Sequence, residues 1–198
     1  MSSGPGKAAG RFDLFERAPL GNDIAVLLAR YPREVWPEHR NLGHTAQFWL
    51  QRHGMFRELG EMMKAGAVEF AEGRVAANAF MGWLGPRLSL FLRELHSHHH
   101  VEDAHYFPIF RAADARLGQG FDILDADHHT IDALIHDLAG AGMSLQKALG
   151  GSGDVNGASA ALSERLAKTT AGLVRHLDDE EDIVVPLILD RTEGGLGL

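Results

Sequence analysis

His98-His99-His100-Val101-Glu102-Asp103-Ala104-His105-Tyr106-Phe107-Pro108 decides the reading of this chain, because its pattern recurs. Reduced to chemistry, it is His, three residues, Glu, an acid, four residues, Pro. His176-Leu177-Asp178-Asp179-Glu180-Glu181-Asp182-Ile183-Val184-Val185-Pro186 fits the same template. Composition alone predicts well under ~0.01 matches, so two make a motif. A His and a Glu four apart share one helix face at about 6 Å, close enough to grip one metal ion or bridge two.

Apolar residues recur at helical spacing on either side of both copies. The first long segment opens at Pro37 and runs to about Ala65, with the stripe Ala46, Trp49, Leu50, Phe56 and Met63, and His53 falls within it. Gly85-Pro86 opens the next, with Leu88, Phe91, Leu92, Leu95, Tyr106 and Ile109 in register with His98 and Glu102. A third spans roughly Phe121–Leu149, where His128 fills a gap in the stripe Phe121, Leu124, Ile131, Ile135 and Leu138. The fourth starts near Asn156 and carries Leu162, Leu166, Leu173, Ile183 and Leu187, with His176 and Glu180 in phase. No stretch alternates as a strand would.

The expected fold is therefore all-α, an antiparallel up-down-up-down four-helix bundle. Residues 1–37 read as a leader, mobile to about residue 20, with a short helix at Ile24–Leu28 capped by Asn22-Asp23 and stopped by Pro32. Residues 38–190 form the bundle, with an extra short helix over Ala67–Phe80 between helices 1 and 2. Residues 191–198 form a mobile tail. Gly150-Gly151-Ser152-Gly153 reads as a plain turn.

The order of the histidines suggests an internal duplication. His53 precedes His98 by 45 residues, and His128 precedes His176 by 48. Each half is a helix with one inward His, followed by a helix with His-x3-Glu that ends or bends near a Pro, Pro108 or Pro186. Two such hairpins bring six ligands to one level: His53, His98, His128 and His176 as nitrogen donors, with Glu102 and Glu180 as bridging carboxylates. An ionised Glu in a dry core is costly unless it is paired or bound to metal.

Composition narrows the chemistry further. With no cysteine among 198 residues, disulfides, thiolate sites and iron–sulfur clusters are excluded. Imidazole and carboxylate without sulfur suit iron, manganese or zinc, and a mixed site between helices favours two iron or two manganese ions. Six protein ligands leave coordination positions for water, an oxo or hydroxo bridge, or a small molecule such as dioxygen. A net charge of -8 without a basic stripe argues against nucleic acid. No uninterrupted apolar run reaches about 18 residues, and the N-terminus has no signal-like apolar region, so a cytoplasmic location and no membrane are expected. The sequence gives no oligomeric state.

His-x3-Glu-Asp-x2-Tyr-Phe-Pro and His-x3-Glu-Glu-x4-Pro resemble the two motif helices of the hemerythrin-like, HHE cation-binding family. Asp127-His128 with Ile131, Ile135 and Leu138 is similar to its third helix, and His53 with Phe56 and Met63 to its first. The resemblance covers about residues 38–190. It implies a bundle with a non-haem di-iron centre, and roles in oxygen binding, iron or redox sensing, or peroxide and nitric oxide chemistry. Two departures stand out. Oxygen carriers of the family place a second His four residues on in the third helix, where this chain has Asp132. They close the last helix with His-x4-Asp, where this chain has Glu180 at the fourth position and Glu181 at the fifth. Fewer imidazoles imply a more open, more anionic site, suited to redox turnover or metal handling.

The neighbouring donors have plainer readings. His44 competes with His53, and His129 substitutes for His128 if the register slips by one. Asp132 is a candidate for the vacant third-helix place. His96, His99, His100 and His105 read as rim residues, with His99 and His105 as candidate proton relays. Asp178, Asp179 and Asp182 read as a solvated face balancing Arg175, and Trp49 and Trp83 as packing. The expected function is a di-iron protein that binds dioxygen or a related small diatomic or peroxide ligand, as sensor, scavenger or metal handler. The alternatives are a redox enzyme at the same site, peroxidase-like or nitric-oxide-reducing, and a zinc-stapled interaction bundle.

Overall fold

A computed structural model describes residues 12–198, which are helical and contain no strand. The helices are α1 (His44–Ala71), α2 (Ala77–Val101), α3 (Phe107–Ala113), α4 (Gly118–Lys147), α5 (Val155–Arg191) and the short α6 (Glu193–Leu196). A wide π-type turn, Glu102–Tyr106, joins α2 to α3 without a break, and a second, Ala148–Ser152, follows α4. The protein is an all-α helical bundle. Among the described residues no helix is long and apolar enough to cross a membrane.

The described residues fall into two compact units. The first comprises 12–53, 100–129 and 174–198. Its core holds Leu20, Ile24, Leu27, Trp49, Phe107, Phe110, Phe121, Leu124, Ile183, Leu187 and Leu196. The second comprises 54–99 and 130–173, with Phe56, Met63, Phe80, Leu84, Phe91, Ile131, Leu138, Leu162, Leu166 and Leu173 buried. Each long helix contributes to both units in alternating order. α1 leaves the first for the second and α2 returns; α4 and α5 repeat the pattern.

Several boundaries differ from the sequence reading, each for a local reason. α1 begins at His44, not Pro37, because 37–43 is a run of turns tied down from elsewhere: Asn41 donates its side-chain amide to the Leu189 carbonyl. The Glu193 carboxylate then accepts from the Ala46 amide in the first turn of α1. Residues 193–196, expected to belong to a mobile tail, thus form a helical turn with Leu196 buried.

No separate helix spans Ala67–Phe80. Ala67 lies in the last turns of α1, which ends at Ala71, and Phe80 in the first turn of α2, which starts at Ala77, with a turn at Gly73 (φ 74) between them. Gly66 continues α1 because the Trp83 ring lies against it; a Cβ there would come within 2.5 Å of that ring. Gly85 and Pro86 lie inside α2, whose buried stripe starts upstream at Phe80 and Leu84. The helix expected at Ile24–Leu28 is a series of turns, beginning with the Ile24 and Ala25 amides on the Gly21 carbonyl. The leader to residue 20 was expected to be mobile. Residues 1–11 of it lie outside the described residues, whereas Leu14 and Leu20 are buried.

Candidate metal centre

Each of the six expected donors sits on a stripe that the core draws inward. His53 lies four residues after Trp49 on α1, and His98 one turn after Leu95 on α2. His128 follows Leu124 on α4, and His176 and Glu180 are flanked by Leu173, Leu177 and Ile183 on α5. His53, His98, Glu102 and Glu180 each offer a ligand atom, all within 4.8 Å of one another. His99, His128 and His176 form a second such group.

The groups are linked atom by atom. His128 Nε2 lies 3.2 Å from His176 Nε2 and 3.6 Å from Glu102 Oε2. His176 Nε2 lies 3.2 Å from Glu180 Oε2, and His53 Nε2 lies 3.6 Å from Glu180 Oε1. The two carboxylates therefore stand between imidazoles from different helices.

Pro108 explains the unusual turn that carries Glu102. Proline has no N–H, and its ring crowds the carbonyl four residues back in a regular helix. Here the Phe107 amide reaches the Glu102 carbonyl, a five-residue step that widens the turn and makes room for the ring. Pro108 neither ends the helix nor carries it away from the core: Phe107 and Phe110 beyond it are buried. Pro186, the matching residue of the second motif, lies within α5, which runs on to Arg191.

A set of acids behind the imidazoles fixes which ring nitrogen faces inward. His53 Nδ1 is 3.0 Å from Glu181 Oε1, His128 Nδ1 is 2.8 Å from Asp103 Oδ1, and His176 Nδ1 is 3.3 Å from Asp127 Oδ2. An ionised carboxylate only accepts, so each Nδ1 carries the hydrogen and each Nε2 is turned toward the others. Imidazoles that ligate metals are held in this way. Trp49 adds a further donor, its Nε1–H lying 2.5 Å from Glu180 Oε1.

The electrostatics ask for a cation. Burial, and then the charge of Glu180, hold the Glu102 carboxyl well above the usual carboxylate range. Burial alone would lower His176, but its contacts with Asp127 and Glu180 outweigh that and push it up to about 9. Burial lowers His128, and the hydrogen bond to Asp103 only partly opposes it. Glu102 and His176 thus hold their protons to higher pH than usual, which offsets the charge of a dry anionic site. A divalent ion bound by the inward nitrogens and carboxylate oxygens would do the same, so the donor set fits a metal.

The remaining candidates settle differently. His44, His129, His100 and His105 are exposed. Asp132 does not take the vacant third-helix place; it faces His96 Nδ1 at 3.2 Å, away from both ligand groups. His99, read as a rim residue, is buried with His128 and His176. Asp179, read as solvated, is buried and bonded to Arg17 and Arg175, while Arg33 reaches Asp182 and the Asp178 carbonyl. Trp49 both packs and donates. Glu181, Asp103 and Asp127 were visible as acids beside the motif histidines. Their adjacency was the available signal, but each serves a His on another helix.

The hemerythrin HHE cation binding domain matches residues 44–188, well over half of the chain. The chain belongs to that family. The match takes in every inward donor described above and stops short of residues 12–43. No curated protein and no solved structure matches. This HHE-domain chain thus places His and Glu groups that could hold a metal at the positions where both copies of the motif stand.

Proposed function

We propose that the centre holds two iron ions and that the protein binds dioxygen or a related small oxidant, as a sensor, scavenger or store. The observation that carries this reading is the convergence of His53, His98, His128 and His176 on Glu102 and Glu180, in a chain that has no cysteine. Iron bound there would supply one-electron chemistry and coordination positions open to a small ligand. Manganese or zinc would fit the same donors.

The protein's own residues do the rest. Glu181 and Asp127 orient His53 and His176, and Trp49 steadies Glu180. Phe107 stacks on His128 at 5.4 Å and, with Phe110, excludes water from that side. Anaerobic iron loading of purified protein, followed by metal analysis and a visible spectrum on admitting air, tests the reading. Two irons per chain and a new charge-transfer band are expected. A chain that stays colourless and takes up no iron overturns it.

A second reading, a redox enzyme acting on peroxide or nitric oxide, is favoured by one observation. Asp103 is 39 % exposed yet bonded to buried His128, so a proton can pass between solvent and the edge of the site. Turnover far above that of a His98→Ala, His176→Ala double variant would select this reading, and equal rates would exclude it.

A further inference from the structure

The segment before α1 lies outside the family match, yet it sends two arginines toward the acids that orient the histidines. Arg17 grips Asp127 with both terminal nitrogens, Nη1 to Oδ1 at 2.7 Å and Nη2 to Oδ2 at 2.5 Å. Its Nε and Nη2 also donate to Asp179 Oδ2, at 3.0 and 2.9 Å, and Nη1 reaches the Phe12 carbonyl at 3.2 Å. The Arg17, Asp127 and Asp179 side chains are each 3 % exposed or less. Leu20 donates its amide to Asp179 Oδ1, which fixes the segment at this point.

Arg33 repeats the arrangement on the other side. Its Nη1 lies 2.8 Å from Glu181 Oε2, while Glu181 Oε1 faces His53. Its Nε donates to Asp182 Oδ1 at 2.7 Å, its Nη2 to the Asp178 carbonyl, and its guanidinium lies over the Trp36 ring at 4.9 Å. Two relays of the same composition result: Arg17–Asp127–His176 and Arg33–Glu181–His53.

The bidentate Arg17 fixes both the charge and the plane of Asp127, whereas Arg33, held also by Asp182 and the Asp178 carbonyl, gives Glu181 one charged bond that pins its outer oxygen. The carboxylate in turn fixes the imidazole. His128 has no such support, since its partner Asp103 is partly exposed and no arginine bond to it is seen among the described contacts. We infer that residues 12–36 form a clamp, in which Arg17 and Arg33 act as positioning residues that hold His176 and His53 ready for metal. The clamp rests on the proposed metal-binding reading of the centre, and adds that metal affinity depends on a segment the family match does not include.

The test uses the full chain, with Co(II) as a coloured probe of the ligands, titrated anaerobically and followed by visible absorption. The variants are Arg17→Lys, Arg33→Gln and, as control, Arg30→Gln. Arg30 lies on the same segment but pairs with Asp190, which meets no histidine in the site. Loss of orientation behind a metal-ligating His weakens binding by about 10–100-fold. Arg17→Lys and Arg33→Gln should each weaken Co(II) binding by about tenfold and alter its ligand-field bands, while Arg30→Gln changes neither.

Arg33 is 40 % exposed at its side chain, so Arg33→Gln folds even if the Arg17 variant does not, and it is then the deciding variant. Unchanged affinity and spectrum in Arg33→Gln overturns the clamp, as does an equal loss in Arg30→Gln. Wild-type protein that binds neither Co(II) nor Fe(II) overturns the metal-binding reading instead.

Discussion

His128 and His176 meet through their Nε2 atoms at 3.2 Å, while their Nδ1 atoms face two different acids, Asp103 and Asp127. Two inward nitrogens this close, on α4 and α5, cannot both keep a proton comfortably in a dry core. Burial lowers His128, while Asp127 and Glu180 keep His176 protonated until about pH 9. An ion taken up below pH 9 must therefore displace a proton from His176, beside a Glu102 carboxyl that burial and Glu180 hold well above the usual carboxylate range.

Metal binding should release protons. Below pH 9 apparent affinity should rise with pH, by about tenfold per unit for each proton displaced, and the slope should flatten as His176 loses its own proton. Titration calorimetry in buffers of different ionisation enthalpy measures the number released. No release at pH 7 would contradict the protonated state of the metal-free site.

Trp49→Phe removes the indole donor to Glu180 and little apolar area. The variant should fold with a melting temperature near that of the wild type, yet bind metal about tenfold more weakly, because Glu180 loses the bond that orients it. Parallel thermal melts and metal titrations separate the two effects. Unchanged affinity would mean that the indole only packs.

Phe110→Ala should be a stability variant above all. Phe110 is fully buried, stacked near Tyr106 and Phe121, and its removal leaves a cavity worth about 3–5 kcal/mol. A loss of unfolding free energy in urea of less than about 1 kcal/mol would show that the first unit can collapse into the space.

Asp114 supplies a pH signature that involves none of the candidate ligands. Hydrogen bonds from Arg116 above all, and then from Arg191, lower its carboxyl to about 2. A carboxylate with a lowered folded value stabilises above its unfolded pKa, near 3.9, and loses that contribution as pH falls through the folded value. The gap in urea midpoint between wild type and Asp114→Asn should be full above about pH 5 and close toward pH 2. A gap independent of pH over that range would refute the ion-pair origin.

The amount of this that was legible in sequence follows a physical divide. Helical phase is local, so the stripes place His53, His98, Glu102, His128, His176 and Glu180 inward without knowledge of any partner. The supporting acids obey no such local rule. Glu181, on α5, serves His53 on α1, and Asp127, on α4, serves His176 on α5. Arg17 was further out of reach, since a single arginine in a Gly-rich leader has no periodicity to betray its burial. Asp179 was misread for the same reason. Among Asp178, Asp179, Glu180, Glu181 and Asp182, helical phase alone does not tell which acids find buried cations.

The wide turn at Glu102–Tyr106 makes residue count as binding a constraint as residue identity. A regular helix advances about 100° per residue. Deleting one residue between Glu102 and Phe107 would leave Phe107 in phase with Glu102, because a turn closed by a five-residue step returns to the same face as one closed by four, but it would take away the width that lets the Pro108 ring clear the carbonyl behind it. Every side chain at the site could be kept, and a single lost codon would still set a proline ring against the backbone next to Glu102.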